Sequence, residues 1–426
     1  MNEGFSAKFC GLDACDCGKR HEQLTGSVEV ADGAFGQLHT HIAAFLPEGG
    51  KVLYIYDGAV GAAQTVKRLL TKKYRAAEFC RDNMVSDRKL IGEIRVEEDV
   101  RLVVCAGGGS VADVAKYAAA RLGLPLVMCG TSQATAGYLT ASAMLYADGF
   151  CEVYKTAPPA VFLLDTAELS DDGTLNAAGF GEVCSRLTAL FDWEFAAQAR
   201  GESYCKSVEK EALLLICDLI KRVENAPAAA RPALIAKSAV RLSLLMQRMG
   251  DSRLMCGGDM QIMHALSMLF RREARAFKLW GENEMLVSQV AIRAYLALLE
   301  SGDMGFQPPP DNNLRLEAMG EYLGIGPGRA FKKIQPYISY DELLTISHCV
   351  AECREELLFK LRIYQKILLN ANRIFKRLYK DKGYSYNEYV GAADLSLCIG
   401  LAPDVREKFT TLTYMKQLGL LDRYIA

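Results

Sequence analysis

The sequence predicts an α/β N-terminal half followed by an all-α C-terminal half, and two observations carry that reading. Short apolar runs at 51–57 (KVLYIYD), 101–106 (RLVVCA), 125–129 (PLVMC) and 160–165 (AVFLLD) alternate with helical periodicity. Beyond about residue 177 that alternation stops, and long amphipathic stretches at 203–223, 233–249, 285–300 and 341–379 take over. Continuous apolar runs of this length suit parallel strands buried on both faces, whereas the 3.6-residue period suits helices with one buried stripe.

Taken in order, residues 1–30 form a cysteine-containing arm, and 51–57 is the first strand, ending in Asp57. Gly58 and Ala59 follow, then a helical stretch over 61–75. The second strand, 101–106, runs into Gly107, Gly108 and Gly109, and the alanine-rich segment from Ser110 to Leu122 is a helix that Gly123 is placed to stop. With the strand at 125–129 this makes a βαβ unit, hence a right-handed crossover in a parallel sheet. The segment 303–313 (DMGFQPPPDNN) is read as a loop, since three prolines cannot sit inside a helix. The expected domains are an arm at 1–30, a Rossmann-like α/β nucleotide-binding domain at 31–170, and a helical metal and substrate domain at 171–426. Ligand pockets prefer the cleft between such halves.

Composition narrows the function classes. A chain of 426 residues is too long for one ordinary core. A formal net charge of −1 gives no electrostatic reason to expect nucleic acid. The sequence contains no run of 18 apolar residues, and residues 1–20 lack an apolar signal core, so no membrane insertion and a cytoplasmic location are expected. Of the fourteen cysteines, Cys105, Cys129, Cys217 and Cys398 lie in apolar runs, where a reduced thiol acts as a small hydrophobe. Cys10, Cys15, Cys17 and His21 stand apart as four soft donors within twelve residues. Zinc takes four such ligands, but the spacing matches none of the common zinc-finger patterns, and an ordinary cysteine-rich arm is the plainer reading.

The clearest chemical signal is Gly107-Gly108-Gly109-Ser110-Val-Ala-Asp113-Val-Ala-Lys116. Glycines let a backbone turn tightly and approach an anion, and the following helix offers unpaired N–H groups and a positive dipole end. Placed between strand and helix, the loop reads as a diphosphate site, with a packed tight turn as the bland alternative.

This segment resembles the glycine motif of the iron-containing alcohol dehydrogenase superfamily, which also includes glycerol dehydrogenases and dehydroquinate synthases. Ala157-Pro158-Pro159-Ala160 through Asp165-Thr166, Ala177-Ala178-Gly179-Phe180-Gly181-Glu182, and Leu187-Thr188-Ala189-Leu190-Phe191-Asp192-Trp193 look like its glycerol-1-phosphate dehydrogenase branch. Ser252-Arg253 through His264-Ala265-Leu266 fits that branch, and Cys15-Asp-Cys17-Gly18 with His21 is similar to an arm of its bacterial members. The likeness spans residues 15 to about 420. It implies hydride exchange between a nicotinamide cofactor and dihydroxyacetone phosphate, assisted by zinc or a similar ion.

Carried across residue by residue, Gly107, Gly108, Gly109 and Ser110 match the diphosphate loop, with Asp113 and Lys116 in their usual places. Thr131 and Ser132 match the loop running towards the nicotinamide, and Asp57 lies where an acid favours NAD over NADP. The metal positions have changed. Glu182 keeps a carboxylate, but the two histidine positions carry Met260 and Trp280, and the substrate-side acid is Ala136. Thioether and indole are poor partners for a divalent ion that favours imidazole and carboxylate. A rebuilt site from Glu182, His264, Asp259 and Glu282 is one expectation, and His264 as an ordinary polar helix residue is the other. Without a metal the developing alkoxide needs another electrophile, for which Lys155, Arg253 and protonated His264 are the candidate types.

The reading is therefore an NAD- or NADP-dependent oxidoreductase acting on a small phosphorylated polyol or ketone, and a homo-oligomer is expected. The alternatives are a catalytically degenerate, dinucleotide-binding homologue with a regulatory or partner role, and a metal-free lyase or isomerase.

Overall fold

The structure is a computed structural model that describes residues 5–6, 15–302, 312–324, 337–383, 390–406, 408–421 and 423. The chain divides into two compact units, Met1–Phe180 with Lys221–Gly250, and Gly181–Ile220 with Asp251–Ala426.

The first unit holds the sheet. Its strands are β1 (Phe5–Ser6), β2 (Ser27–Ala31), β3 (Lys51–Asp57), β4 (Arg75–Arg81), β5 (Val100–Gly107) and β6 (Leu126–Gly130). A two-stranded hairpin, β7 (Ser142–Ala147) and β8 (Phe150–Lys155), precedes the last sheet strand, β9 (Val161–Asp165). The sheet order is β1-β2-β9-β6-β5-β3-β4, with β1 antiparallel and the other pairings parallel. The chain moves outward from β3 to β4 and then returns to lay β5 on the other side of β3. That reversal is a topological switch point, and open α/β sheets bind ligands outside the carboxyl ends of the strands there. Asp57 and Gly107 end the two strands concerned.

Strand β5 shows why the sheet is buried on both faces. Val103 and Cys105 pack into one apolar cluster, and Leu102, Val104 and Ala106 into another. Helices cover the faces: α1 (Leu38–Ile42), α2 (Gly61–Leu70), α3 (Arg88–Glu93) and α4 (Gly109–Leu122). Val114 and Ala118 of α4 join the Val103 side, whereas Ala63 and Val66 of α2 join the Val104 side. Each fully buried aliphatic side chain contributes about 1.5–3 kcal/mol. Gly123 stops α4 at φ 64°, a conformation that glycine adopts without strain.

Helices α5 (Gly173–Arg200) and α6 (Lys206–Asn225) run through the division between the units, and α7 (Arg231–Met249) belongs to the first. The sequence places the helical domain at 171–426, whereas α7 falls in the sheet-bearing unit. The difference has a local cause, because α7 is tied to the sheet unit by hydrogen bonds. Gln247 accepts from the backbone of Leu24 and Thr25 and donates to Thr25 Oγ1 at 2.7 Å and Leu139 O at 2.6 Å. Ser243 Oγ accepts from Leu139 N at 2.9 Å.

The second unit is helical among its described residues: α8 (Gly258–Arg272), α9 (Trp280–Ser301), α10 (Asn312–Leu323), α11 (Tyr340–Lys380), α12 (Ala392–Val405) and α13 (Thr411–Gln417), with the adjoining parts of α5 and α6. Asp192 of α5 organises it. Its carboxylate accepts from Gly258 N at 2.7 Å, Thr411 N at 2.7 Å and the Tyr295 hydroxyl at 3.0 Å, so one acid caps the starts of α8 and α13. Burial pushes this carboxyl up to about 6, against the pull of those backbone donors. Of the proline-rich segment read as a loop, 303–311 lies outside the described residues, and 312 already begins α10. Among the described residues no helix is long and apolar enough to cross a membrane.

Candidate functional site

In the first unit, the backbone leaves β5 at Gly107, passes Gly108 and enters α4 at Gly109. The surroundings of the three glycines differ. A Cβ on Gly107 would lie 2.4 Å from Val111 Cγ2, and one on Gly109 would lie 3.3 Å from Thr135 Oγ1. A Cβ on Gly108 would meet only Ser132 Cβ, at an ordinary 3.8 Å. Packing thus explains Gly107 and constrains Gly109, but nothing within the protein requires Gly108 to lack a side chain. The first N–H groups of a helix have no intrahelical acceptor, so the uncrowded backbone at Gly108 leaves the start of α4 open to an anion.

The opposing wall is the 131–141 loop, and its position is set by buried polar contacts. Thr131 N donates to Gly107 O at 3.2 Å. The Tyr138 hydroxyl donates towards Gly107 O at 3.2 Å and accepts from Ser132 N at 3.2 Å, so one phenol ties the glycine loop to the facing loop. Sequence reasoning did not single out Tyr138. Ser132 Oγ accepts from Ala134 N, and Thr135 Oγ1 accepts from Gly137 N, which shapes the wall through side-chain turns. Ala136 is buried in the same loop.

Asp113 and Lys116 sit differently from the expectation that they contact cofactor. The Lys116 side chain is fully buried and pairs with Asp113 at 3.0 Å. Its ammonium donates to Gly137 O and Thr140 Oγ1, both at 2.9 Å, and to Ser142 O at 2.5 Å. An ammonium has three donors, and these partners together with Asp113 account for them. Lys116 therefore fastens the wall loop to α4 from behind. Burial pushes the Asp113 carboxyl up, and Lys116 opposes that shift.

Asp57 ends β3 with its carboxylate held by backbone donors, Ala59 N and Asn83 N on Oδ1 and Met84 N on Oδ2, each at 3.0 Å. The acid is tied to the backbone and half-buried at the switch point. Gly58 follows because a Cβ there would lie 2.2 Å from Asp82 Oδ1. Lys155, at the end of β8, is exposed.

In the second unit, the positions that the resemblance assigns to a metal hold a different construction. Glu182 is buried on α5, and its backbone carbonyl accepts from Arg186 Nε at 2.8 Å. The Arg186 guanidinium donates one nitrogen to both oxygens of Glu284, at 2.8 and 2.6 Å, with side chains 1% and 0% exposed. Trp280 Nε1 donates to the same carboxylate at 3.2 Å, as does Ser185 Oγ at 3.3 Å. Glu182 and Asp259 add their fields to that of Glu284, and the three acids raise the Arg186 pKa against the opposing cost of burial. Burial pushes the Glu284 carboxyl up, Arg186 pulls it down, and the neighbouring acids Glu182 and Asp259 push it up again.

This donor set does not fit a divalent ion. The acids surround a guanidinium that is already positive, Met260 contributes a buried thioether, and Trp280 spends its only polar hydrogen on Glu284. Asp259 accepts from Ser288 Oγ at 2.6 Å and Met260 N at 2.8 Å. Glu282 serves the start of α9, accepting from Leu279 N at 2.8 Å and from the Tyr379 hydroxyl. Among the described residues Glu182 and His264 belong to no group of three donors close enough to share an ion. Sequence reasoning considered Glu182, Asp259, Glu282 and His264 and missed Arg186 and Glu284. The available signal was a charged residue at a buried helical position in each of two helices.

The other candidate catalytic groups are also tied. Arg253 is buried, donates to Glu202 Oε2 through Nε at 3.0 Å, and donates to Phe409 O at 2.8 Å. It is a structural cation. His264 is buried edge-on to Trp280, with ring centroids 5.6 Å apart, and its Nδ1 has no hydrogen-bond partner. Burial, helped by the charge of Arg406, holds this imidazole well below its ordinary pKa, so it is neutral rather than the protonated electrophile expected from sequence.

Comparison with known proteins finds relatives in sequence and in fold. The family model described as iron-containing alcohol dehydrogenase matches residues 30–170. A glycerol-1-phosphate dehydrogenase [NAD(P)+] of Bacillus licheniformis is 27% identical over 287 residues, covering 63% of this chain and 70% of that protein. One from Methanospirillum hungatei is 29% identical over 259 residues, covering 59% and 70%. Among solved structures, a 1,3-propanediol oxidoreductase superposes with a TM-score of 0.58 at 13% identity, over 95% of this chain and all of that one. A maleylacetate reductase from a Rhizobium species gives 0.55 at 14% identity, over 95% and 97%. At such identities the structural likeness speaks for the fold.

Proposed function

We propose that this chain, which belongs to the iron-containing alcohol dehydrogenase superfamily, is an NAD(P)-dependent oxidoreductase of the glycerol-1-phosphate dehydrogenase kind that works without a divalent ion among Glu182, Met260 and Trp280. The substrate class is a small phosphorylated polyol and its ketone, with dihydroxyacetone phosphate and glycerol 1-phosphate as the first pair. The protein acts in the cytoplasm as a homo-oligomer, which light scattering reads directly. The observation that carries the proposal is Gly108, the one glycine of the loop that no protein atom crowds.

Bound at that loop, the dinucleotide supplies the hydride. The N–H groups at the start of α4 would hold its diphosphate, and Asp57 at the end of β3 would meet the adenosine ribose. A fixed carboxylate accepts from ribose hydroxyls and repels a 2′-phosphate, so NAD is favoured over NADP. Reduction delivers two electrons as hydride to the carbonyl carbon and one proton to its oxygen.

Gly108→Ala tests the loop. Its backbone is extended, at φ −82° and ψ −162°, so alanine fits without strain. The added methyl should leave thermal stability unchanged and weaken NADH binding at least tenfold. Unchanged binding would remove the diphosphate from this loop. The second reading, a degenerate homologue that binds dinucleotide without turnover, draws on the Arg186–Glu284 pair. It is separated from the first by measuring NADH oxidation alongside NADH binding.

A further inference from the structure

We propose that Cys15, Cys17 and His21 form a zinc site in the arm ahead of the sheet, separate from any ion used in catalysis. These donors lie at C-x-C-x3-H spacing, and their ligand atoms all fall within 4.8 Å of one another. Cys17 Sγ is 3.3 Å from His21 Nε2. Two ligands on one tetrahedral zinc, with Zn–S near 2.3 Å and Zn–N near 2.05 Å, stand about 3.6 Å apart, so the two donors are within a few tenths of an ångström of ligand spacing.

The orientation of the histidine argues further. His21 is buried, and its Nδ1 lies 2.8 Å from the carbonyl oxygen of Arg248 near the end of α7. A carbonyl only accepts, so in the neutral ring Nδ1 carries the hydrogen and Nε2 presents its lone pair to Cys17. A ring nitrogen held by a backbone carbonyl, with the other turned to the ion, is the usual support of a metal-bound histidine. The thiols are presented by a turn in which Gly18, at φ 74°, donates its N–H to Cys15 O at 2.8 Å. Neither thiol is in a disulfide. Cys10, considered with them from sequence, lies outside the described residues.

The ion has a structural task. The same arm continues into Leu24 and Thr25, which Gln247 of α7 holds by their backbone N–H groups. Zinc on Cys15, Cys17 and His21 closes the arm against the end of that helix, and a fourth donor completes the tetrahedron. Thiols bind zinc as thiolates, so uptake releases protons and weakens as pH falls.

The test uses the full chain, purified under reducing conditions without chelator and assayed for zinc by mass spectrometry. About one zinc per chain is expected, falling below about a tenth in Cys17→Ser and in Cys15→Ser and remaining in Glu182→Gln. Should the serine variants fail to fold, cobalt substitution of the unaltered protein decides. A thiolate-to-cobalt charge-transfer band with tetrahedral ligand-field absorption supports the site, and an octahedral spectrum without that band overturns it. Zinc that survives both serine substitutions, or is lost only with Glu182→Gln, also overturns it. Unaltered protein that holds no zinc and takes up no cobalt does so equally.

Discussion

Glu284→Ala should damage the second unit far more than Arg186→Met does, although both break the same ion pair. The pair is almost fully enclosed, with N···O distances of 2.8 and 2.6 Å and side-chain exposures of 1% and 0%. Removing one partner of such a pair leaves a buried charge uncompensated, at a cost of about 3–5 kcal/mol. The two survivors differ in what they can do about it. A guanidinium cannot shed its proton, so Arg186 stays charged after Glu284→Ala. A carboxyl can take one up, and burial already pushes Glu284 in that direction, so Arg186→Met leaves a neutral acid at low pH. For that variant the folded pKa of Glu284 lies above its unfolded value, so stability is greatest at low pH and is lost as pH rises through the folded pKa. Replacing both partners by apolar residues, Arg186→Met with Glu284→Leu, should recover most of the loss from Glu284→Ala, since no charge is left unpaired. The assay is thermal unfolding at pH 6 and pH 8, where each kcal/mol shifts the midpoint by roughly 2–4 °C for a unit of this size. The expected result is a drop of about 10 °C for Glu284→Ala at both pH values and a drop for Arg186→Met that grows with pH. Equal, pH-independent losses for the two single variants would refute the reasoning, as would a loss below about 1 kcal/mol for Glu284→Ala.

Three other outcomes follow from the same contacts. Lys116→Met frees the wall loop and leaves Asp113 as a carboxyl that can take up a proton, so NADH affinity should fall at least tenfold with a stability loss that grows as pH rises, whereas Lys155→Met at an exposed strand end should change neither in parallel titrations. His264 is held neutral in the fold, so folding stability should be fully present above about pH 6.5 and fall by about 1.4 kcal/mol per pH unit below it, a slope that His264→Leu removes in unfolding curves taken from pH 7.5 to 5. Asp192→Ala uncaps α8 and α13 together, and the unfolding midpoint should drop by more than a single lost cap of about 1 kcal/mol explains.

Much of the first unit was legible because its strands are buried on both faces. The runs at 51–57, 101–106, 125–129 and 160–165 correspond to β3, β5, β6 and β9 within one or two residues. Strand β4, RAAEFCR, escaped notice since it lies at the sheet edge, where flanking arginines and a glutamate break the apolar run. The β7–β8 hairpin carried a readable signal, Asp148-Gly149, both at positive φ as a two-residue hairpin turn requires. The reading of the site divided along a physical line. Backbone requirements, such as glycines between strand and helix, are written locally. Arg186 and Glu284 are 98 residues apart, and only packing of α5 against α9 makes them a pair. Lys116 was marked as a cofactor contact by its spacing from the glycines, but a spacing cannot say that its ammonium faces into the protein and not out to a ligand.

The proposed oxidoreductase carries a buried guanidinium among the acids that would otherwise draw a divalent ion. The most direct test of metal-free turnover is NADH oxidation with dihydroxyacetone phosphate by chelator-treated protein, repeated after adding Zn²⁺ or Ni²⁺. Turnover that is unchanged by chelation and by added ion, and that falls in Gly108→Ala, is the expected result. Turnover that appears only with added ion, or NADH binding without turnover under any condition, would contradict it.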